Sequence, residues 1–195
     1  MKSIVTVNMH RRKFLLSSSL LLSGTAALKA SNLLAQTTPE AGTSDPPKGL
    51  DLRETLSPEE LALVKDSVMS SDMQNFWHKG YSCAETGLMV ALRYMKKPED
   101  LVWTAAGFAG GLGHQDLCGF LTSGVMALGL HAGDLKIGAN EAKMKCMQTV
   151  NDFWTWWAEN APMHCSEIRA GRQDFEVCQR IGRLATAKIE SLIKA

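Results

Sequence analysis

No Cys-x-x-Cys occurs anywhere in the 195 residues. Its absence removes the zinc ribbon, the thioredoxin-type dithiol and the clustered ferredoxin run. Without Cys-x-x-Cys-His, covalent c-type haem is excluded as well. There is no His-Glu-x-x-His, no Ser/His/Asp order and no paired-acid motif, so the chain reads as an electron carrier rather than a catalyst. No repeat recurs at a period of 20–50 residues, and no stretch alternates apolar and polar residues as a half-buried strand would. A large charge excess is also missing, with 21 basic against 20 acidic residues. That balance hides an asymmetry: residues 1–35 carry Lys2, Arg11, Arg12, Lys13 and Lys29 and no acid, leaving 16 basic and 20 acidic beyond them. An acidic remainder argues against a nucleic-acid partner, which needs a clustered positive face. Five cysteines are too few for a disulfide-stapled miniprotein of this length.

What is present begins with an address. Arg11-Arg12-Lys13-Phe14-Leu15 precedes an apolar run over 16–28 that is interrupted by serines and followed by Ala30 and Ala35. A positive start, a short apolar stretch and small residues form a signal-peptide pattern, and the adjacent arginines are of the twin-arginine type. An uncleaved membrane anchor is the alternative, but the run falls short of the roughly 20 apolar residues a span requires. Export to the periplasm, with no span in the mature form, is therefore expected. The twin-arginine route carries folded proteins, commonly ones that received a cofactor beforehand. Residues 36–56, with Pro39, Pro46, Pro47 and Gly42, have the composition of a flexible linker.

From 57 to 195 the patterns are helical throughout. Ser57-Pro58-Glu59-Glu60 and Ser82-Cys83-Ala84-Glu85 are capping boxes. The first opens a helix through Leu61, Val64, Val68 and Met69; the second opens one that stops at Pro98. A short segment follows Pro98, then a glycine-rich loop over 107–116, then a small-residue helix over 118–130. A helix over 139–159 places Cys146, Val150, Phe153 and Trp157 on one stripe, and Asn160-Ala161-Pro162 breaks the chain. A last helix is expected over 174–193. The fold class is all-α, a single bundle of about five to seven helices.

Cys83, Cys118, Cys165 and Cys178 each fall at an expected helix start. The unpaired amides and positive dipole end there favour a thiolate over a thiol. Four thiolates directed inward would form an anionic pocket suited to a metal centre. The alternative is that free cysteines are small core residues, and Cys146, mid-helix on the apolar stripe, is read that way. The run Gly107-Phe108-Ala109-Gly110-Gly111-Leu112-Gly113-His114 lacks the spacing and flanks of a nucleotide loop. Its glycines suit close approach instead, either of helices to one another or of backbone amides to an anionic centre.

Taken in order, Gly80-Tyr81-Ser82-Cys83-Ala84-Glu85, Gly107-Phe108-Ala109-Gly110-Gly111-Leu112-Gly113, Cys118-Gly119-Phe120-Leu121-Thr122-Ser123-Gly124-Val125-Met126, and lone Cys165 and Cys178 resemble the C_GCAxxG_C_C family of redox-active proteins. The resemblance spans about residues 60–190. Phe120 stands where the family usually has alanine and Ser123 where it usually has glycine, which adds bulk beside Cys118. The resemblance maps the four family cysteines onto Cys83, Cys118, Cys165 and Cys178. A similar domain in split-Soret cytochromes c is associated with an iron–sulfur centre, so that half alone would carry over here.

Three functions follow as expectations. The first is electron transfer by an iron–sulfur cluster on the four cysteines, [2Fe–2S] rather than [4Fe–4S], with Gly110, Gly111 and Gly113 offering backbone donors to the sulfides. The second is thiol–disulfide chemistry, or two structural disulfides, using the same residues. The third is copper or zinc binding through Met163-His164-Cys165, Met144-Lys145-Cys146-Met147 and His114. Phe153-Trp154-Thr155-Trp156-Trp157 cannot lie wholly on one helix face, so an exposed indole is expected at a homodimer or partner surface, or else a thick core.

Overall fold

Capping residues decide where this bundle's helices begin. In the computed structural model, residues 56–195 are described apart from His78, Arg172 and Asp174, so the expected signal segment and nearly all of the linker lie outside the described residues. Helix α1 spans Pro58–Lys65, with Ser57 and Glu60 closing the first capping box. The expected continuation through Val68 and Met69 does not occur: the chain turns at Asp66 and Ser67 opens α2, Val68–Phe76. The cause is distant in sequence. Glu190 accepts hydrogen bonds from the Ser67 hydroxyl at 2.7 Å and the Met69 amide at 2.8 Å, which satisfies the new helix start.

Helix α3, Cys83–Tyr94, begins at the second capping box, where the Ser82 amide donates to Glu85 at 2.8 Å. A 3₁₀ segment Glu99–Phe108 and a left-handed turn lead to α4, Gly119–Asp134. Helix α5 runs Ala139–Asn160, α6 is the short Cys165–Arg169, and α7 runs Glu176–Lys194, two residues later than the pattern suggested. Among the described residues there is no strand, so the all-α class holds. No helix among them is long and apolar enough to cross a membrane.

Helix α3 is buried from Ala84 to Leu92, which makes it the axis around which the others pack. Met69, Met73, Phe120, Phe153, Trp157, Ile181 and Ile189 form the main core beside it. The extra bulk at Phe120 and Ser123 is absorbed by glycines on facing helices. A Cβ at Gly182 would lie 2.5 Å from the Phe120 ring, and one at Gly87 would collide with the Ser123 hydroxyl. Close packing beside Cys118 is thus preserved by a changed shape rather than lost.

Candidate metal centre

The two halves of the site are joined by a short backbone pairing. Cys118 donates its amide to the Met163 carbonyl at 2.9 Å, and Cys165 donates to the Asp116 carbonyl at 2.7 Å. Leu117 and His164 form the isolated bridge between these bonds. On one side, the Trp157 indole donates to the Pro162 carbonyl at 2.9 Å and fixes the turn that follows α5. On the other, His164 Nδ1 lies 2.8 Å from the Asp116 carboxylate. The start of α6 is thereby set against the start of α4.

All four expected cysteines stand at helix starts. Cys83 is the first residue of α3, Cys118 caps α4, Cys165 is the first residue of α6 and Cys178 is the third of α7. A Cβ at Gly119 would collide with the Cys83 sulfur, so this glycine lets the α3 thiol reach the base of α4. The sulfurs sense one another electrostatically: Cys83 acts on both Cys118 and Cys165, and Cys178 acts on Cys118. Cys118 and the half-buried Cys83 and Cys178 belong to one apolar cluster. No disulfide joins any two of the five cysteines in this structure. Among the described residues, no group of three or more His, Cys, Asp or Glu side chains is spaced to hold a single metal ion.

The expected preference for thiolates is reversed at two positions. Burial pushes the Cys118 thiol well up, the neighbouring Cys83 charge adds to that, and the amides of Phe120 and Leu121 only partly oppose it without forming a capping bond. Burial also raises Cys165, again with Cys83, while Arg169 pulls the other way. Helix dipoles are therefore outweighed by desolvation, and an anionic sulfur at Cys118 requires a cation beside it.

The glycine-rich loop serves conformation more than proximity. Gly110, Gly111, Leu112 and Gly113 all have positive φ, between 58° and 73°, giving a left-handed turn that only glycine adopts readily. A Cβ at Gly110 or Gly113 would meet nothing within 4 Å, whereas one at Gly111 would fall 2.5 Å from the Asp116 backbone. Gly111 thus seats the residue that receives the Cys165 amide. Cys146 lies half-buried on the α5 stripe with Val150, Phe153 and Trp157, as its pattern suggested.

Sequence reasoning missed three contributors. Trp77 stands between Phe120, at 5.3 Å, and Phe175, at 6.4 Å, and packs on the same apolar cluster as Cys83, Cys118 and Cys178. Asp116 looked like the end of a loop, yet its backbone and carboxylate both hold the 163–165 segment. Gly119 was visible only as a motif letter, and its collision with Cys83 requires the fold.

The sequence model described as "Putative redox-active protein (C_GCAxxG_C_C)" matches residues 81–192, more than half of the chain, including all four helix-start cysteines. No curated protein and no solved structure matches the chain. With these cysteines in order on helix starts and the match running through nearly all of the described bundle, the chain belongs to the C_GCAxxG_C_C family of redox-active proteins.

Proposed function

We propose that this redox protein is an exported electron carrier whose centre is an iron–sulfur cluster of the two-iron type, held by Cys83, Cys118, Cys165 and Cys178. The observation that carries the reading is that the missing side chain at Gly119 sets the Cys83 sulfur against the base of α4, while the pairing of 116–118 with 163–165 sets the Cys165 helix start beside that of Cys118. Four cysteines match the donor set of such clusters. The lack of any group of three or more His, Cys, Asp or Glu at single-ion spacing among the described residues speaks against a mononuclear zinc site. It does not conflict with a two-iron cluster, which distributes its thiolates two to each iron. When bound, the cluster supplies a reversible one-electron couple.

The chain's own residues do the rest. The pairing of 116–118 with 163–165 fixes two ligand positions, Gly119 admits a third, and Phe120 shares the buried apolar cluster with Cys118. Gly111, by leaving room for the Asp116 backbone, holds in place the carbonyl that receives the Cys165 amide. The test is iron and acid-labile sulfide analysis with an optical spectrum after oxygen-free purification. Stoichiometric iron and sulfide support the proposal, and colourless, metal-free protein defeats it.

A second reading rests on Cys83 lying within electrostatic reach of both Cys118 and Cys165. One thiol serving two neighbours suits disulfide exchange. Non-reducing mass mapping separates the readings: Cys83 joined to either neighbour favours exchange, and four unmodified thiols exclude it. Export is part of the main proposal and rests on Arg11-Arg12 and the apolar run after them. Replacing both arginines by lysine should retain the protein in the cytoplasm on cell fractionation; unchanged export would defeat the twin-arginine assignment.

A further inference from the structure

Threonine hydroxyls in this bundle follow one habit, and one of them breaks it. Thr104, Thr122, Thr149 and Thr186 each donate to a carbonyl three or four residues earlier. Thr86, on α3, is fully buried, and its hydroxyl has no partner among the described residues. A hydroxyl taken out of water unpaired opposes folding, and valine would fill the same space without that cost. A helical threonine divides between two rotamers because its oxygen can bond a carbonyl of the preceding turn. Thr86 Oγ1 makes no such bond and is held for another acceptor.

Its place on α3 says which acceptor. Thr86 lies one turn beyond Cys83, about 60° around the helix. Helical side chains lean toward the N-terminus, so Thr86 covers the turn that carries Cys83. Cys83 and Val90, one turn to either side of Thr86, both pack in the main core. Ala84 and Leu88, two residues to either side, belong instead to a second cluster. We propose that the Thr86 hydroxyl donates a hydrogen bond to the Cys83 sulfur when that sulfur is an iron-bound thiolate, and thereby sets the potential of the centre. This rests on the iron–sulfur reading above. A neutral thiol is a weak acceptor and leaves the hydroxyl unpaired, whereas a metal-bound thiolate carries charge and accepts strongly. Thr86 is a positioning residue, acting through Cys83. Its donation draws negative charge away from the ligand sulfur, which favours the more negative reduced state and raises the potential.

The test compares wild type, Thr86→Val and Thr86→Ser after oxygen-free purification, with circular dichroism to confirm folding and iron and sulfide analysis to confirm loading. Redox titration followed in the visible spectrum reads the potential. Thr86→Val should move the one-electron equilibrium about tenfold toward the oxidised form, a potential roughly 59 mV lower. Thr86→Ser keeps the hydroxyl and should stay at the wild-type value. A folded valine variant that fails to load where serine loads would support the same role. Urea midpoints of the chelator-stripped chains give a second readout, in which valine should match or exceed wild type because it removes an unpaired hydroxyl. An unchanged potential in loaded Thr86→Val, a serine variant shifted as far as valine, or a stripped valine chain less stable than wild type would overturn the role of Thr86 and leave the cluster standing. Wild-type protein without iron and sulfide would overturn both.

Discussion

The Cys83 sulfur occupies the space that a side chain at position 119 would need, so α3 and α4 meet thiol against bare backbone. Gly119→Ala forces one of the two helix starts to shift. Overpacking of this kind costs about 1–3 kcal/mol, more than the roughly 1 kcal/mol that alanine gains over glycine in a helix. A lowered midpoint in denaturant unfolding is the expected result. Faster alkylation of Cys83 in the folded protein should accompany it, because the displaced thiol loses its cover. Unchanged stability and unchanged reactivity would show that the slot has slack.

Glu190 is 2% exposed and ties α7 to the start of α2. Burial alone would raise its carboxyl, but hydrogen bonds from Lys194, the Met69 amide and the Ser67 hydroxyl outweigh that and leave it below its ordinary 4.5. A carboxyl depressed in the folded state stabilises the protein above its unfolded value and loses that contribution as pH falls through the folded one. Wild-type stability should therefore decline as pH drops below about 4.5, and Glu190→Gln should decline less steeply across the same window. At neutral pH, Glu190→Ala strands the Met69 amide, a cost of about 1–3 kcal/mol. Urea midpoints measured across the acid range check both statements.

These two cases mark what could be read before the fold was known. Local rules placed the capping boxes at Ser57 and Ser82, because a cap and its partner lie three residues apart. The same rules placed all four cysteines at helix starts. The break between α1 and α2 was illegible because its carboxylate comes from residue 190, 121 positions beyond Met69. Thiol ionisation was misjudged for a related reason. A helix start is visible in sequence, but the burial that overrides its dipole at Cys118 is a property of neighbouring helices.

The five cysteines should separate into four and one. Serine at position 83, 118, 165 or 178 should lower bound iron and sulfide and bleach the visible spectrum, because a hydroxyl is a harder and weaker ligand than a thiolate. Cys146→Ser should leave both unchanged, since that side chain shares the α5 stripe with Val150 and Phe153. Metal analysis of the five single variants decides it, and loss of iron in Cys146→Ser would redraw the ligand set.

Phe120 and Gly182 form a matched pair, with the ring of α4 filling the space α7 leaves open. Phe120→Ala removes a fully buried ring and should cost about 3–5 kcal/mol. Gly182→Ala alone should also destabilise, because its Cβ would lie 2.5 Å from that ring. With the ring absent, the same methyl enters an open cavity and gains helix propensity, so its effect should change sign. The double variant should be more stable than Phe120→Ala alone, giving a coupling energy of about 1–3 kcal/mol. A double-mutant cycle in urea measures it. Simple additivity would mean that α7 moves away from Phe120 at little cost, and that the bulk at this position is tolerated by backbone displacement rather than by the missing side chain opposite.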